Sequence, residues 1–407
     1  MTDRRTFLTG LSASCGVAVI ADSATARSTD KLSSEEFSVE YGYVRNVIKK
    51  AKSDIRNVKQ RHPNNRAPHQ SRNIQQLKAQ REVNNSEQLL SSDNYISSLV
   101  RAQKARIYAI KVDGWDRATQ NNLTQTEAQS QLQQSQKEVE DAMKDITIKH
   151  NISRDNLLAY SQTERSLASA AGHLESAGEN ILAIESRPSE YVLATKLARA
   201  AGAAGNIQDA YHFKRANNIT ASDNGLSPKR WYSTISRFKE QQMSEAAKEL
   251  QTEPQVSTTN EMSKSFTNIL YQRASRYSKR AQTRRELGLS TVAMVDMAHA
   301  GAIYYGLTEC EEFSNPWTTE PLSVSVANER KKKFVSTFES QAASKESIGE
   351  EIILRRAKSI AGDADQYLTS AANNSEESET SRISAAQFRL AEAIAQQSTE
   401  LGAQVSP

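Results

Sequence analysis

Leu132-Gln133-Gln134-Ser135-Gln136-Lys137-Glu138-Val139-Glu140-Asp141-Ala142-Met143-Lys144-Asp145-Ile146 is the stretch whose reading decides the fold. Leu132, Gln136, Val139, Met143 and Ile146 recur at heptad spacing, which aligns them along one stripe of a helix, and most residues between them are polar. Such a stripe is a thin seam, as in a coiled-coil hairpin. The same spacing occurs upstream, in Val44, Ile48, Ala51, Ile55 and Val58, after a capping-type start at Ser34; Pro63 and Pro68 end that helix. From Ser71 to Arg187 there is no proline at all. The span therefore reads as a long helical hairpin that turns at Asn151 to Arg154. Ser153 is placed to cap a second helix carrying Leu157, Leu167, Ala171, Leu174, Ile181 and Ile184.

Composition agrees with helices that share narrow seams. Of 407 residues only 37% are hydrophobic and 6% aromatic, with mean hydropathy −0.66, too little apolar mass for a thick globular core. Fifteen glycines and eight prolines leave few interruptions. The expectation is an all-α chain: an elongated helical hairpin, coiled-coil-like region followed by an irregular α-helical array. Its parts are residues 1–26 as a leader, 27–70 as a basic helix and linker, 71–187 as the hairpin and 188–407 as the alanine-rich array. Asn217 to Pro228, Glu253 to Thr259 and Phe313 to Pro321 read as breaks between helices, the last carrying Trp317 as a packing anchor or an exposed contact.

Two segments carry resemblances. Asp3-Arg4-Arg5-Thr6-Phe7-Leu8 opens a weakly apolar stretch, Phe7 to Ala21, followed by small residues at Ala24 and Ala26. About 15 apolar residues are too few to span roughly 30 Å of hydrocarbon, and the sequence reads as a cleaved leader. Arg4, Arg5, Phe7 and Leu8 resemble the core of the twin-arginine (Tat) export signal, with Asp3 and Thr9 departing from its usual pattern. The resemblance implies as partners the twin-arginine machinery and a signal peptidase acting after Ala26, export of an already folded chain, an extracellular or envelope-associated location, and no transmembrane span in the mature protein. Cys15 offers a competing lipoprotein reading, but Ser12-Ala13-Ser14 lacks the apolar residue expected upstream of a lipid-modified cysteine. The second resemblance lies after Pro188. Leu197, Ala198, Gly205, Asn206 and Ala210 are similar to part of the two-helix tetratricopeptide (TPR) unit, whose glycine turns the chain between helices, with fragments again at Gly288 to Ala300 and Thr380 to Ala391. The repeat intervals are unequal, and an irregular array is the preferred reading over a TPR-like α-solenoid.

Charge is the other informative feature. The net charge is +4, but between Tyr43 and Arg81 eleven Lys and Arg face Asp54 alone. A second basic face, Arg273, Arg276, Arg280 and Arg284, recurs at helical spacing with Tyr271 and Tyr277 interleaved, and is the candidate contact surface. Its partner would be an anionic surface polymer, an anionic lipid or an acidic protein; export makes nucleic acid less available as a partner. The alternative is a solvated basic face with no specific partner.

Motifs for chemistry are absent. Six scattered histidines form no His-Glu-x-x-His, the two cysteines form no Cys-x-x-Cys, and there is no phosphate loop, Gly-x-Ser-x-Gly elbow or calcium loop. The expectation is therefore no enzyme activity, no metal and no cofactor. Once the leader is removed Cys310 is the lone thiol, set among acids that raise rather than lower its pKa, and reads as a packed residue. Asn-x-Ser/Thr sequons at Asn84, Asn122, Asn151, Asn218 and Asn373 permit glycosylation without implying it. Two functions remain: an exported binding or scaffold protein, or an exported ligand-binding protein or enzyme with a pocket among the C-terminal helices.

Overall fold

Where the valine and isoleucine stripe begins, the chain coils. The structure, a computed structural model, describes residues 39–61, 70–91, 93–147, 151–179, 189–221, 225–251, 261–309, 323–372 and 379–406. These form thirteen α-helices and one short 3-10 turn, with an antiparallel β-bridge between Ile152 and Leu226. The all-α class is as the sequence indicates. No helix among the described residues is long and apolar enough to cross a membrane. The leader residues Arg4, Arg5, Phe7, Leu8, Cys15, Ala24 and Ala26 lie outside the described residues, as do Cys310 and Trp317.

The helices gather into two compact units, divided near residue 221. The first unit holds α1 (Tyr41–Arg61), α2 (Gln70–Ser91), α3 (Tyr95–Thr119), α4 (Gln125–Ile146), α5 (Leu157–Glu179) and α6 (Ser189–Ala216). Helices α3 and α6 are its spine: α1 and α2 lie against α3, α4 and α5 lie against α6, and the two spine helices pack on each other. The stripe Val44, Ile48, Ala51, Ile55 and Val58 is buried on α1 as its spacing requires. Val44 and Ile48 meet Leu99 and Phe213, while Ala51 and Ile55 meet Ala79, Val83, Ala105 and Ala109.

The expected hairpin span holds four helices rather than two. No proline is needed to break it, because residues with left-handed backbone end helices without one. Asp93 (φ 53°) and Asn121 (φ 57°) play that part. At each, the next residue reaches back five positions, Asn94 N–H to Leu89 C=O at 2.9 Å and Asn122 N–H to Arg117 C=O at 2.7 Å. This is the Schellman closure of a helix C-terminus. The seam on α4 buries Val139 and Ile146, with Leu132, Gln136 and Met143 partly covered, and its main partner is α6 rather than α5. The residues that resemble a TPR unit, Leu197 to Ala210, lie on one unbroken helix, α6. Gly205 does not turn the chain; a Cβ there would stand 2.7 Å from Gln103 Oε1, so the glycine admits the Gln103 amide from α3.

The second unit holds α7 (Pro228–Gln251), α8 (Glu261–Glu286), α9 (Ser290–Glu309), α10 (Val324–Ser344), α11 (Ile348–Ala372), α12 (Glu379–Gln396) and α13 (Ser398–Val405). Its centre is α9, buried without a break from Thr291 to Ala298 and touched by α7, α8, α11 and α12. Close approach depends on small residues: a Cβ on Gly301 would collide with the Phe238 ring of α7. Helices α8 and α9 join through Gly288 (φ 81°), whose N–H bonds Arg285 C=O at 2.9 Å while Leu289 N–H bonds Arg284 C=O at 2.9 Å. Leu289 is fully buried, the apolar contact that accompanies this closure. Asn218 (φ 48°) ends α6 in the same way, with Ile219 buried beyond it.

These left-handed ends set an expectation for stability. Gly288→Ala should cost about 1 kcal/mol, whereas Asn121→Gly and Asn218→Gly should be stabilising by a few tenths of a kcal/mol, roughly. Urea unfolding of the four proteins measures this, and a neutral Gly288→Ala would show that the turn does not hold α8 against α9.

Candidate functional site

Three groups of polar residues stand apart from the apolar seams. The first is a buried knot where α1, α3 and α6 meet. The Tyr43 hydroxyl donates to Asp209 Oδ1 at 2.6 Å, and Gln103 Nε2 donates to the same carboxylate at 3.0 and 3.2 Å. Tyr43 also stacks on His212, ring centroids 3.8 Å apart and 4° from parallel. Burial pushes the Asp209 carboxyl up to about 6, against the hydrogen bonds from Tyr43 and Gln103 and the Arg106 charge, which lower it. Burial and the Asp209 charge push the Tyr43 hydroxyl above its ordinary value, and burial pushes His212 down. The knot joins α1, α3 and α6 through Tyr43, Gln103 and Asp209. It is a tie between helices.

The second group also lies in the first unit. His173 Nδ1 lies 3.0 Å from Arg199 Nη1, and burial together with the Arg199 charge pushes the imidazole down to about 3. A neutral ring presents Nδ1 as the acceptor of the guanidinium N–H. A Cβ at Gly202 would stand 3.0 Å from the His173 ring, so a glycine on α6 admits the imidazole.

The third is the basic face of α8, and here the structure corrects the sequence reading. Arg273, Arg280 and Arg284 are turned inward. Arg273 pairs with Asp363 of α11 at 2.5 Å, and Arg284 pairs with Asp296 of α9, whose side chain is fully buried. Arg280 lies 4.0 Å from the same Asp296 and 4.3 Å above the Tyr277 ring. Of the four candidates only Arg276 is exposed. The inner face of this helix is Arg273, Tyr277, Arg280 and Arg284, one residue out of step with the expected contact surface. Its physical reason lies in Asp296 and Asp363, buried carboxylates on neighbouring helices that require cations facing them. Nothing in the α8 sequence announces those partners.

The exposed cations sit elsewhere, on the outer face of α1. Arg45, Lys49, Lys52 and Arg56 follow at helical spacing with Lys50 beside them, all exposed. Lys52 meets Glu87 of α2 at 2.5 Å, whereas Arg45, Lys49 and Arg56 make no ion pair among the described residues. Asp54, the lone acid of the segment, is turned aside to Arg106 of α3 at 3.2 Å. Arg72, from the same basic run, is buried and forked onto Asp116, Nε to Oδ1 and Nη2 to Oδ2, each at 2.7 Å. Lys78 and Arg81 are exposed on α2.

No group of three or more His, Cys, Asp or Glu among the described residues is placed to hold a metal ion. No protein-family model, curated protein or solved structure matches the chain.

The buried titrating groups make a prediction in the window between about pH 4 and 6. The Asp209 pKa is raised on folding, so the native state holds its proton longer than the unfolded chain, and this group makes stability fall as pH rises from 3.8 towards 6. The His173 pKa is lowered, so the unfolded chain takes up a proton first, and this group makes stability fall as pH drops from 6.5 towards 3. The two oppose each other, with His212 adding to the histidine side. Relative to the wild type, Asp209→Asn should lose stability on acidification more steeply, and His173→Asn less steeply, each by about 1.4 kcal/mol per pH unit. Denaturant midpoints at half-unit steps decide it; parallel curves for all three proteins would mean that neither group titrates differently in the folded and unfolded chain.

Proposed function

We propose that the chain is an exported, non-enzymatic helical binding or scaffold protein that engages an anionic polymer of the cell envelope or exterior through the outer face of α1. The observation that carries this reading is the separation of charge in the basic segment. Its acid, Asp54, and its inward arginine, Arg72, are taken up by partners inside the first unit, while Arg45, Lys49, Lys50 and Arg56 are left on a solvent-facing surface beside Lys52, which meets Glu87. An isolated surface ion pair would contribute little to stability. An array of like charges is instead mildly self-repelling, and a polyanion relieves that repulsion while releasing its counterions.

Export by the twin-arginine route is the second part of the proposal, supported by Arg4, Arg5, Phe7 and Leu8 followed by Ala24 and Ala26.

Two measurements test the parts separately. On an anionic polysaccharide matrix the wild-type protein should be retained and should elute as salt rises, since the screening length is about 8 Å at 0.15 M. Arg45→Gln, Lys49→Gln, Lys52→Gln and Arg56→Gln combined should elute at clearly lower salt with unchanged helical content. Equal elution of the two proteins would refute the α1 surface, and a preference for anionic lipid vesicles over the matrix would reassign the partner. For export, Arg4→Lys with Arg5→Lys should leave the precursor uncleaved in the cytoplasm; continued export would place the leader with the general secretory route.

A further inference from the structure

Arg356 of α11 is 1% exposed, and it is held differently from the other buried arginines. Its Nη1 donates to the Tyr277 hydroxyl at 2.9 Å and lies 3.5 Å from Ser359 Oγ. Its Nε and Nη2 have no hydrogen-bond acceptor among the described residues, and no carboxylate there lies within ion-pair distance of it. A guanidinium stays charged in proteins. An ion buried away from water without a counter-charge is strongly disfavoured, and a buried arginine is ordinarily forked onto a carboxylate.

The same chain provides that comparison. Arg72 is 2% exposed and closes its side-on fork, Nε and Nη2, on both oxygens of Asp116. In Arg356 it is the same two nitrogens that lack an acceptor. The neighbouring acids are engaged by other cations: Asp363 by Arg273, and Asp296 by Arg284 with Arg280 beside it. Asp296 thus faces two guanidiniums of α8 and Asp363 faces one, and neither carboxylate lies within ion-pair distance of Arg356. Positive potential is further concentrated at Tyr277, whose ring centre lies 4.3 Å from the Arg280 guanidinium carbon and 4.9 Å from that of Arg356.

We propose that the Nε–Nη2 fork of Arg356 is a binding site for a small oxyanion, a carboxylate or phosphate group, enclosed between α8 and α11 in the second unit. The fork geometry matches two oxygens of either group, which supplies the counter-charge that the protein withholds. Arg280 adds attraction across the tyrosine ring. Because Arg356 is enclosed, the anion exchanges only when the helices part locally, and it should be carried through purification. The site does not depend on the α1 surface and adds a second, separate anion specificity to the molecule.

The test uses the full chain. Equilibrium dialysis at fixed ionic strength, with inorganic phosphate and acetate as separate probes, should give one saturable site per chain for one of the two, which names the class. Protein denatured directly after purification should release about one equivalent of oxyanion per chain, read by ion chromatography. Arg356→Met should lose both signals. Should that variant fail to fold, Arg356→Lys keeps the charge without the fork and should bind at least about tenfold more weakly. The proposal is overturned if neither probe saturates and no oxyanion is released, or if Arg356→Met or Arg356→Lys binds as the wild type does.

Discussion

A charge taken out of water must be answered within hydrogen-bond distance, and the arrangement of these helices depends on that requirement. With 37% hydrophobic residues the chain cannot fill its interior with apolar side chains alone. Charged and polar groups enter the seams instead: Arg72 with Asp116, Gln103 and Tyr43 with Asp209, Arg284 with Asp296, Arg273 with Asp363 and Lys331 with Asp365. Each joins two helices. Removing one member of such a pair typically costs about 3–5 kcal/mol because the other is left charged and buried. These pairs add little net attraction but allow few alternatives. A helix rotated by one residue would bring an unanswered charge into the seam, so the polar pairs fix register where the apolar contacts would tolerate sliding.

Alanine and glycine make those polar ties reachable. Ala102, Ala105 and Ala109 on α3, and Ala293, Ala298 and Ala302 on α9, are almost wholly buried. Small side chains bury little area, but they let helix backbones come close, so short groups such as the Gln103 amide can reach across. Gly205 and Gly202 are the extreme cases, each leaving room for a polar side chain from a neighbouring helix. The knot at Asp209 and the imidazole at His173 both need a missing Cβ.

Some of this was legible in the sequence, and the parts that were not have physical reasons. The α1 stripe was readable because Val44 through Val58 repeats with a helical period, and burial follows from periodicity. The break between α6 and α7 was readable from Asn217 to Pro228. The ends of α2 and α3 were not, because Asp93 and Asn121 adopt left-handed backbone that looks in sequence like any polar residue on a helix. The basic face of α8 misled for a different reason. Spacing places arginines on one side of a helix but does not say whether that side meets water or a carboxylate 90 residues further along. Arg356 carried no signal at all. It is one cation in Leu354-Arg355-Arg356-Ala357, and only the fold distinguishes it from Arg355, which pairs with Glu351 one turn away.

The Gln103–Asp209 contact closes a loop of 106 residues, whereas α8 and α9 meet across a three-residue turn. Chain entropy rises only with the logarithm of loop length, so bringing the longer loop together costs about 3 kcal/mol more than closing the short turn. Helical hairpins such as α8 and α9 can thus form at small entropic expense, while α3 and α6 must find each other across most of the first unit. The polar knot lies at that distant meeting point. The closure entropy of that long loop is a cost that the assembled unit has to offset, and the hydrogen bonds of the knot are part of what offsets it.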